Sequence, residues 1–257
     1  MLFEVLFLFL AGFFGGVLNS IAGGGSFITF PALLFVGVPP ISANATNTFS
    51  SCSGYISGAY AFRRELMAHR TELPRFVLVS LVGGVGGAWL LLQTPETLFQ
   101  EAIPWLLLFA TLLFILGGRI NLVLRGLASM HRHASSVGQL LLLIFLLGVC
   151  VYGGFFNAGL GIITLSYLAL AGYADINAMN GIKLLVSTVV SLIAIALFVF
   201  DGVIAWYEGT LVLLGTLTGG YVAAHAARRL PQTRVRQFVI VVSVAVTGYF
   251  FYHTYGM

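Results

Sequence analysis

Lys183 is the one basic residue that falls inside a long apolar segment of this chain. A lysine at the middle of a bilayer costs about 2.5 to 3.5 kcal/mol, so a functional role is its first explanation. Asn180 and Gly181 lie one turn earlier and extend the same polar spot. The plainer explanation is a side chain reaching back to water, since Lys183 stands about two turns from the start of its segment.

A second group of candidates lies at two glycine-rich interruptions. Asn19 precedes Gly23, Gly24 and Gly25, and Ser26 follows them; Asn157 precedes Gly159 and Gly161, and Thr164 follows. Glycine inside a helix costs about 1 kcal/mol relative to alanine, so a helix entering either stretch stops and restarts. A restarted helix presents free N–H groups and the positive end of its dipole, which at membrane depth makes an anion site. Backbone donors at Gly24, Gly25 and Gly161, with the amides and hydroxyls of Asn19, Asn157, Ser26 and Thr164, suit a tetrahedral oxyanion. They hold it without the trapping that several cations would cause. Helix capping is the ordinary use of Asn and Ser, and both roles can coexist.

The elements that must position these residues are membrane helices. Of 257 residues 59% are hydrophobic and 8% charged, against roughly 25% charge in a soluble domain. Ten hydrophobic segments are read: 2 to 21, 25 to 37, 42 to 62, 75 to 92, 103 to 118, 137 to 156, 160 to 172, 177 to 199, 206 to 225 and 237 to 254. The second and seventh are too short for a core about 30 Å thick and read as half-helices or re-entrant segments. The first lacks a basic leading region and reads as a retained helix, not a signal peptide.

Eleven of the twelve Lys and Arg residues fall in three stretches: Arg63 to Arg75, Arg119 to Arg132 and Arg228 to Arg236. Those stretches are expected in the cytoplasm. The loops at 93 to 102 and 200 to 208 carry Glu96, Glu101, Asp201 and Glu208 with no basic residue, and face outward. Threading the segments through these assignments puts both termini outside, in the periplasm. Five segments (residues 1–118) precede a basic cytoplasmic linker (119–136) and five (137–257) follow it. Two odd halves lie upside down relative to each other, which predicts an inverted repeat. Gly15, Gly16 and Asn19 match Gly153, Gly154 and Asn157 at a separation of 138; Gly23 and Gly25 match Gly159 and Gly161 at 136. Gly83, Gly84, Gly86 and Gly87 read instead as close helix packing.

The stretches GGGSFITFPAL and VGVPPISANATNT, within this ten-segment pattern, resemble the TauE/SafE sulfite exporter family, and the similarity covers the whole chain. The family often shows a small residue, Thr and then Ser or Asn where this chain has Ala45, Thr46 and Asn47, so Thr46 and Asn47 join the candidate substrate-binding residues. The second half is looser, with NAMNGIK at 177 to 183. The resemblance implies a multi-pass bacterial inner-membrane permease for sulfite or a small organosulfonate such as sulfoacetate or isethionate. The residues themselves are read as two broken-helix hairpins that bind the anion between half-helix N-termini, with Lys183 as counter-charge, and alternating access is expected from one bundle rocking against the other. Rival expectations are another small anion, such as a carboxylate or sulfate, and a non-transporting membrane assembly subunit.

The remaining features argue by exclusion. The eight carboxylates lie in loops or at helix ends, so no buried proton relay is read. No nucleophile motif, zinc-protease motif or phosphate loop is present, so neither an enzyme nor an ATP-driven pump is expected. An anion leaving a negative cytoplasm gains about 2.3 kcal/mol per charge per 100 mV, which lets an exporter work without a coupling ion. Cys52 and Cys150 read as small core residues, and His131 and His133 do not make a metal site. No cofactor or metal is expected. The partners are a small anionic substrate and the lipid bilayer; nucleic acid is excluded, and association into a homo-oligomer is left open.

Overall fold

The computed structural model of the chain describes residues 2–21, 24–130, 136–226 and 232–256. Among them are eleven α-helices and no strand: α1 Leu2–Ile21, α2 Ser26–Phe35, α3 Pro40–Ala61, α4 Arg63–Ala68, α5 Leu73–Gln93, α6 Glu96–Met130, α7 Ser136–Phe155, α8 Leu160–Leu170, α9 Ile176–Phe200, α10 Trp206–Ala226 and α11 Gln232–Tyr255. By length and composition six helices can cross a membrane: α1, α5, the first part of α6, α7, α9 and α11. The helices α2 and α8 are shorter and apolar. Gly23, His131 and His133, with Arg228 and Arg229, lie outside the described residues.

Each first helix of the two halves takes its main neighbour from the other half. Helix α1 packs along α10, α7 packs along α5, and α3 crosses α9. Small residues set the spacing. A Cβ on Gly16 would overlap the Thr216 carbonyl of α10, and one on Gly154 would overlap the Gly84 carbonyl of α5. The preceding glycine of each pair faces its own hairpin, Gly15 meeting Thr29 of α2 and Gly153 meeting Leu160 of α8. In lipid such close backbone approach replaces the hydrophobic drive available in water.

Helix α3 departs from the apolar pattern, with the sequence PISANATNTFSSCSGYISGAYA. It is nevertheless deeply buried between Ile41 and Cys52. So many amides and hydroxyls are tolerable only where protein partners satisfy them. They do: Thr46 Oγ1 accepts from Ala205 N–H (3.0 Å) and Ser50 Oγ donates to the Gly209 carbonyl (3.0 Å), tying α3 to α10. Its first turn is capped across the fold, Ile41 N–H donating to Glu96 at 2.9 Å.

The bundle has two chemically distinct ends. The α2–α3 turn shares one end with Gly202 to Glu208 and with Gln100 and His253; its carboxylates include Glu96, Asp201 and Glu208. The α8–α9 turn shares the other with His69, Glu72 and Arg75, close in sequence to Arg63, Arg64 and Arg70.

Candidate functional site

At the first break the chain leaves α1 at Ile21 and restarts as α2 at Ser26. Asn47, on the adjacent face of α3, reaches this restart. Its Nδ2 donates to Ser26 Oγ at 3.2 Å, and its Oδ1 accepts the Thr29 hydroxyl. Ser26, Thr29 and Asn47 are all buried. Because Ser26 accepts here, its hydroxyl proton remains available to an incoming acceptor. Asn19, half-buried, lies against α3, its Nδ2 3.4 Å from where a Cβ on Gly54 would stand. Gly25 packs against Asn19 and the Gly15 carbonyl.

The second break, between Phe155 and Leu160, is clothed more completely. Phe156 N–H donates to the Tyr152 carbonyl (2.7 Å), and Tyr152 OH donates to the Ala158 carbonyl (2.6 Å). Asn44 of α3 donates to the Phe155 carbonyl at 2.8 Å. Asn157 stands between two helices: Tyr55 OH of α3 donates to its Oδ1 (2.8 Å), and its Nδ2 donates to Ser191 Oγ of α9 (3.0 Å). Gly159, at φ +85°, turns the chain into α8. Asn19 and Asn157 thus meet α3 at consecutive positions, Gly54 and Tyr55, and both breaks converge on the middle of that helix.

Lys183 is half-buried on α9. Its stem crosses the first turn of α8, with Cδ 3.3 Å from a Cβ position on Gly161, and its Nζ donates to Asn180 Oδ1 at 3.1 Å. The ammonium group is folded toward the start of α9 while its methylenes lie at the break.

Three sequence-derived candidates are placed apart from these clusters. Gly24 packs on Val239 and Phe114, Thr46 accepts from Ala205 N–H of the α9–α10 turn, and Thr164 donates to the Leu160 carbonyl of its own helix. Four residues join the clusters that sequence reasoning did not single out: Thr29, Asn44, Tyr55 and Ser191. Asn44 had a signal, one turn before Asn47 and 136 residues before Asn180.

The chemistry of this region is that of neutral donors with one cation. Six of the eight carboxylates are exposed and Glu65 and Glu208 are half-buried, Glu65 with its Oε2 buried and without a hydrogen-bond partner, and no group of metal ligands occurs among the described residues. Cys52 and Cys150 are free and buried. A cavity of about 250 Å³ opens at the acidic end beside Ser42, Ala205 and Glu208, and one of about 580 Å³ at the basic end beside His69, Arg75 and Tyr167.

Comparison with known proteins places the chain beside a family and several relatives. The family profile described as "Sulfite exporter TauE/SafE" matches residues 8–250. The chain is 31% identical over 241 residues, 93% of its length and 89% of the relative's, to the "Probable membrane transporter protein ORF9" of Sinorhizobium sp.. It is 28% identical over 252 residues (97% and 90%) to the "Probable membrane transporter protein YfcA" of Escherichia coli K12. A "Probable membrane transporter protein" of Haemophilus influenzae is 28% identical over 242 residues (94% and 92%). No solved structure matches the chain.

Proposed function

The chain belongs to the TauE/SafE sulfite exporter family of membrane transporters, and from that premise we propose that it exports a small sulfur-containing anion, sulfite or an organosulfonate such as sulfoacetate or isethionate, across a bacterial inner membrane by alternating access. The observation that carries this reading is the convergence of both helix breaks on α3. There Ser26, Asn47 and Asn157 supply neutral donors at the breaks, and Lys183 lies against the second one. Helix N-termini directed at a site near the bilayer middle are the membrane form of an anion site.

The architecture we propose is an inverted repeat of two five-segment halves, with both termini periplasmic. Its support is the pairing of elements. If α1, α2, α3, α5 and α6 correspond to α7, α8, α9, α10 and α11, then the α1–α10 contact corresponds to α5–α7 and α2–α11 to α6–α8, and each occurs. Gly83 and Gly84 recur as Gly219 and Gly220 at the same 136-residue spacing. Thr111 hydrogen-bonds Thr247 at 3.1 Å, 136 residues on, as a residue near a pseudo-two-fold axis meets its own counterpart. Transport driven by membrane potential alone, with no coupling ion, completes the proposal.

The test is thermal stability of the purified protein in detergent. It compares sulfite, sulfoacetate, isethionate, sulfate, acetate and chloride at matched ionic strength, for wild type and Lys183→Ala. A ligand at a hundred times its Kd stabilises by about 2.7 kcal/mol. The expected result is a shift with sulfite or the sulfonates that disappears in Lys183→Ala. A shift confined to acetate or sulfate reassigns the substrate, unchanged shifts in the variant make Lys183 a snorkelling residue, and no shift with any anion favours an assembly role.

A further inference from the structure

The two cavities at the ends of the bundle occupy corresponding places in the two halves. Residues that line the smaller, Ser42, Ala205 and Glu208, stand 136 residues from Ala178, His69 and Glu72, which line the larger. Under the transport reading above, on which this inference rests, they are the two mouths of one pathway. They share a glutamate, Glu208 at one end and Glu72 at the other, and differ in their other charged groups, the larger cavity having Asp175 where the smaller has Pro39. The acidic end has Ala205 and Leu211 where the basic end has His69 and Arg75.

We propose that the larger cavity is a capture site for a small anion on the cytoplasmic side, with Arg75 as its binding charge and His69 beside it. The cavity has a built wall. The rings of Phe76 and Tyr167 meet edge to face at 6.3 Å, Phe76 and Tyr173 likewise at 6.3 Å, and the His69 ring lies 5.9 Å from Tyr173. Of its two acids, Asp175 is held by the start of α9, accepting the Asn177 N–H at 2.9 Å. Glu72 is matched at the other mouth by Glu208, so the larger mouth adds Arg75 and His69 on one side and Asp175 on the other, and Arg75 is the one permanent cation among the described residues of either lining. Low-dielectric walls around a charge raise the local concentration of the opposite charge and the rate at which it arrives. The face that carries Arg75 is therefore the one whose cavity offers a small anion a fixed positive charge to bind.

The experiment is isethionate flux in proteoliposomes of known orientation, measured from each face for wild type, Arg75→Gln, Arg75→Lys and Arg70→Gln. Arg70 shares the same basic stretch but does not line the cavity. Arg75→Gln should raise the half-saturating concentration about 3- to 10-fold at the cytoplasmic face, as loss of local steering predicts. It should leave the other face unchanged, and Arg75→Lys should restore wild-type behaviour. The difference should fade with salt, because the Debye length falls from about 10 Å at 0.1 M to about 3 Å at 1 M. Thr71→Glu, which adds a negative charge to the same lining and keeps Arg75, should shift the half-saturating concentration in the same direction. Equal effects of Arg75→Gln and Arg70→Gln, or equal effects at both faces, would overturn the capture site while leaving transport intact. Absence of flux for every anion in the wild type would overturn the transport reading and this site with it.

Discussion

Gly159 and Gly161 stand two residues apart at the second break and are required for different reasons. Gly159 has φ +85°, and a Cβ there would also stand 3.3 Å from Ala110 Cβ; an L side chain in that conformation costs about 1–2 kcal/mol. Gly161 has an ordinary backbone, and its Cβ would meet the flexible Cδ of Lys183 at 3.3 Å. Gly159→Ala should therefore lower the melting temperature by the equivalent of about 1–2 kcal/mol. Gly161→Ala should leave stability nearly unchanged and weaken the anion-dependent shift by displacing Lys183. If the two substitutions act alike in both measurements, the Lys183 stem is not held by Gly161. Asn19, Asn157 and Lys183 stand out in the sequence because a polar group is conspicuous in an apolar segment or at a glycine break, and Asn47 stands out only through the family resemblance. Tyr55 and Ser191 do not, since their significance depends on Asn157, which lies 102 and 34 residues away. Thr46 and Thr164 show the converse: buried hydroxyls in polar-looking positions whose bonds go to a neighbouring turn and to their own helix.

Among the elements, helix pairs are set by which glycines admit a foreign backbone. Gly16→Ala and Gly154→Ala place a methyl group onto the Thr216 and Gly84 carbonyls, whereas Gly148 and Gly248 have nothing within 4 Å of a Cβ. The first two should lower the melting temperature. The second two should leave it unchanged or raise it, by up to about 1 kcal/mol of helix propensity each. Loss of stability in all four would mean that helix packing is not the reason for the glycines. Each of the ten segments read from the sequence overlaps a helix, because a run of apolar residues bounded by charge or glycine has few alternatives in lipid, but α3 and α10 are not among the six helices long and apolar enough to cross a membrane. The extension of α6 to Met130, through most of the stretch read as a linker, was not legible; charged helix beyond a membrane boundary carries no apolar signal. Helix α4 escaped for the same reason, with only Leu66 buried. Helix α3 was legible as a segment but not as the central support of both breaks, since that role depends on partners from α2, α7 and α10.

At the scale of the whole molecule, the two ends differ in charge. In the proposed orientation a cysteine at exposed Gln100 should react with an impermeant maleimide added to the periplasmic side, and one at exposed Ala174 only from the cytoplasmic side. Native Cys52 and Cys150 are buried and form a quiet background. The reverse labelling pattern would invert the topology and move the proposed capture site to the periplasm. The packing of α1 on α10 also has a bearing on how the protein is made. The glycine face of the first helix has its main partner in residues 206–226, so it stays unpacked until those residues have left the ribosome. At about 5–20 residues per second that is roughly 10–40 s of synthesis. During that interval the first half waits in the membrane with its close-packing surfaces uncovered, and its assembly is completed by the last helices to be inserted.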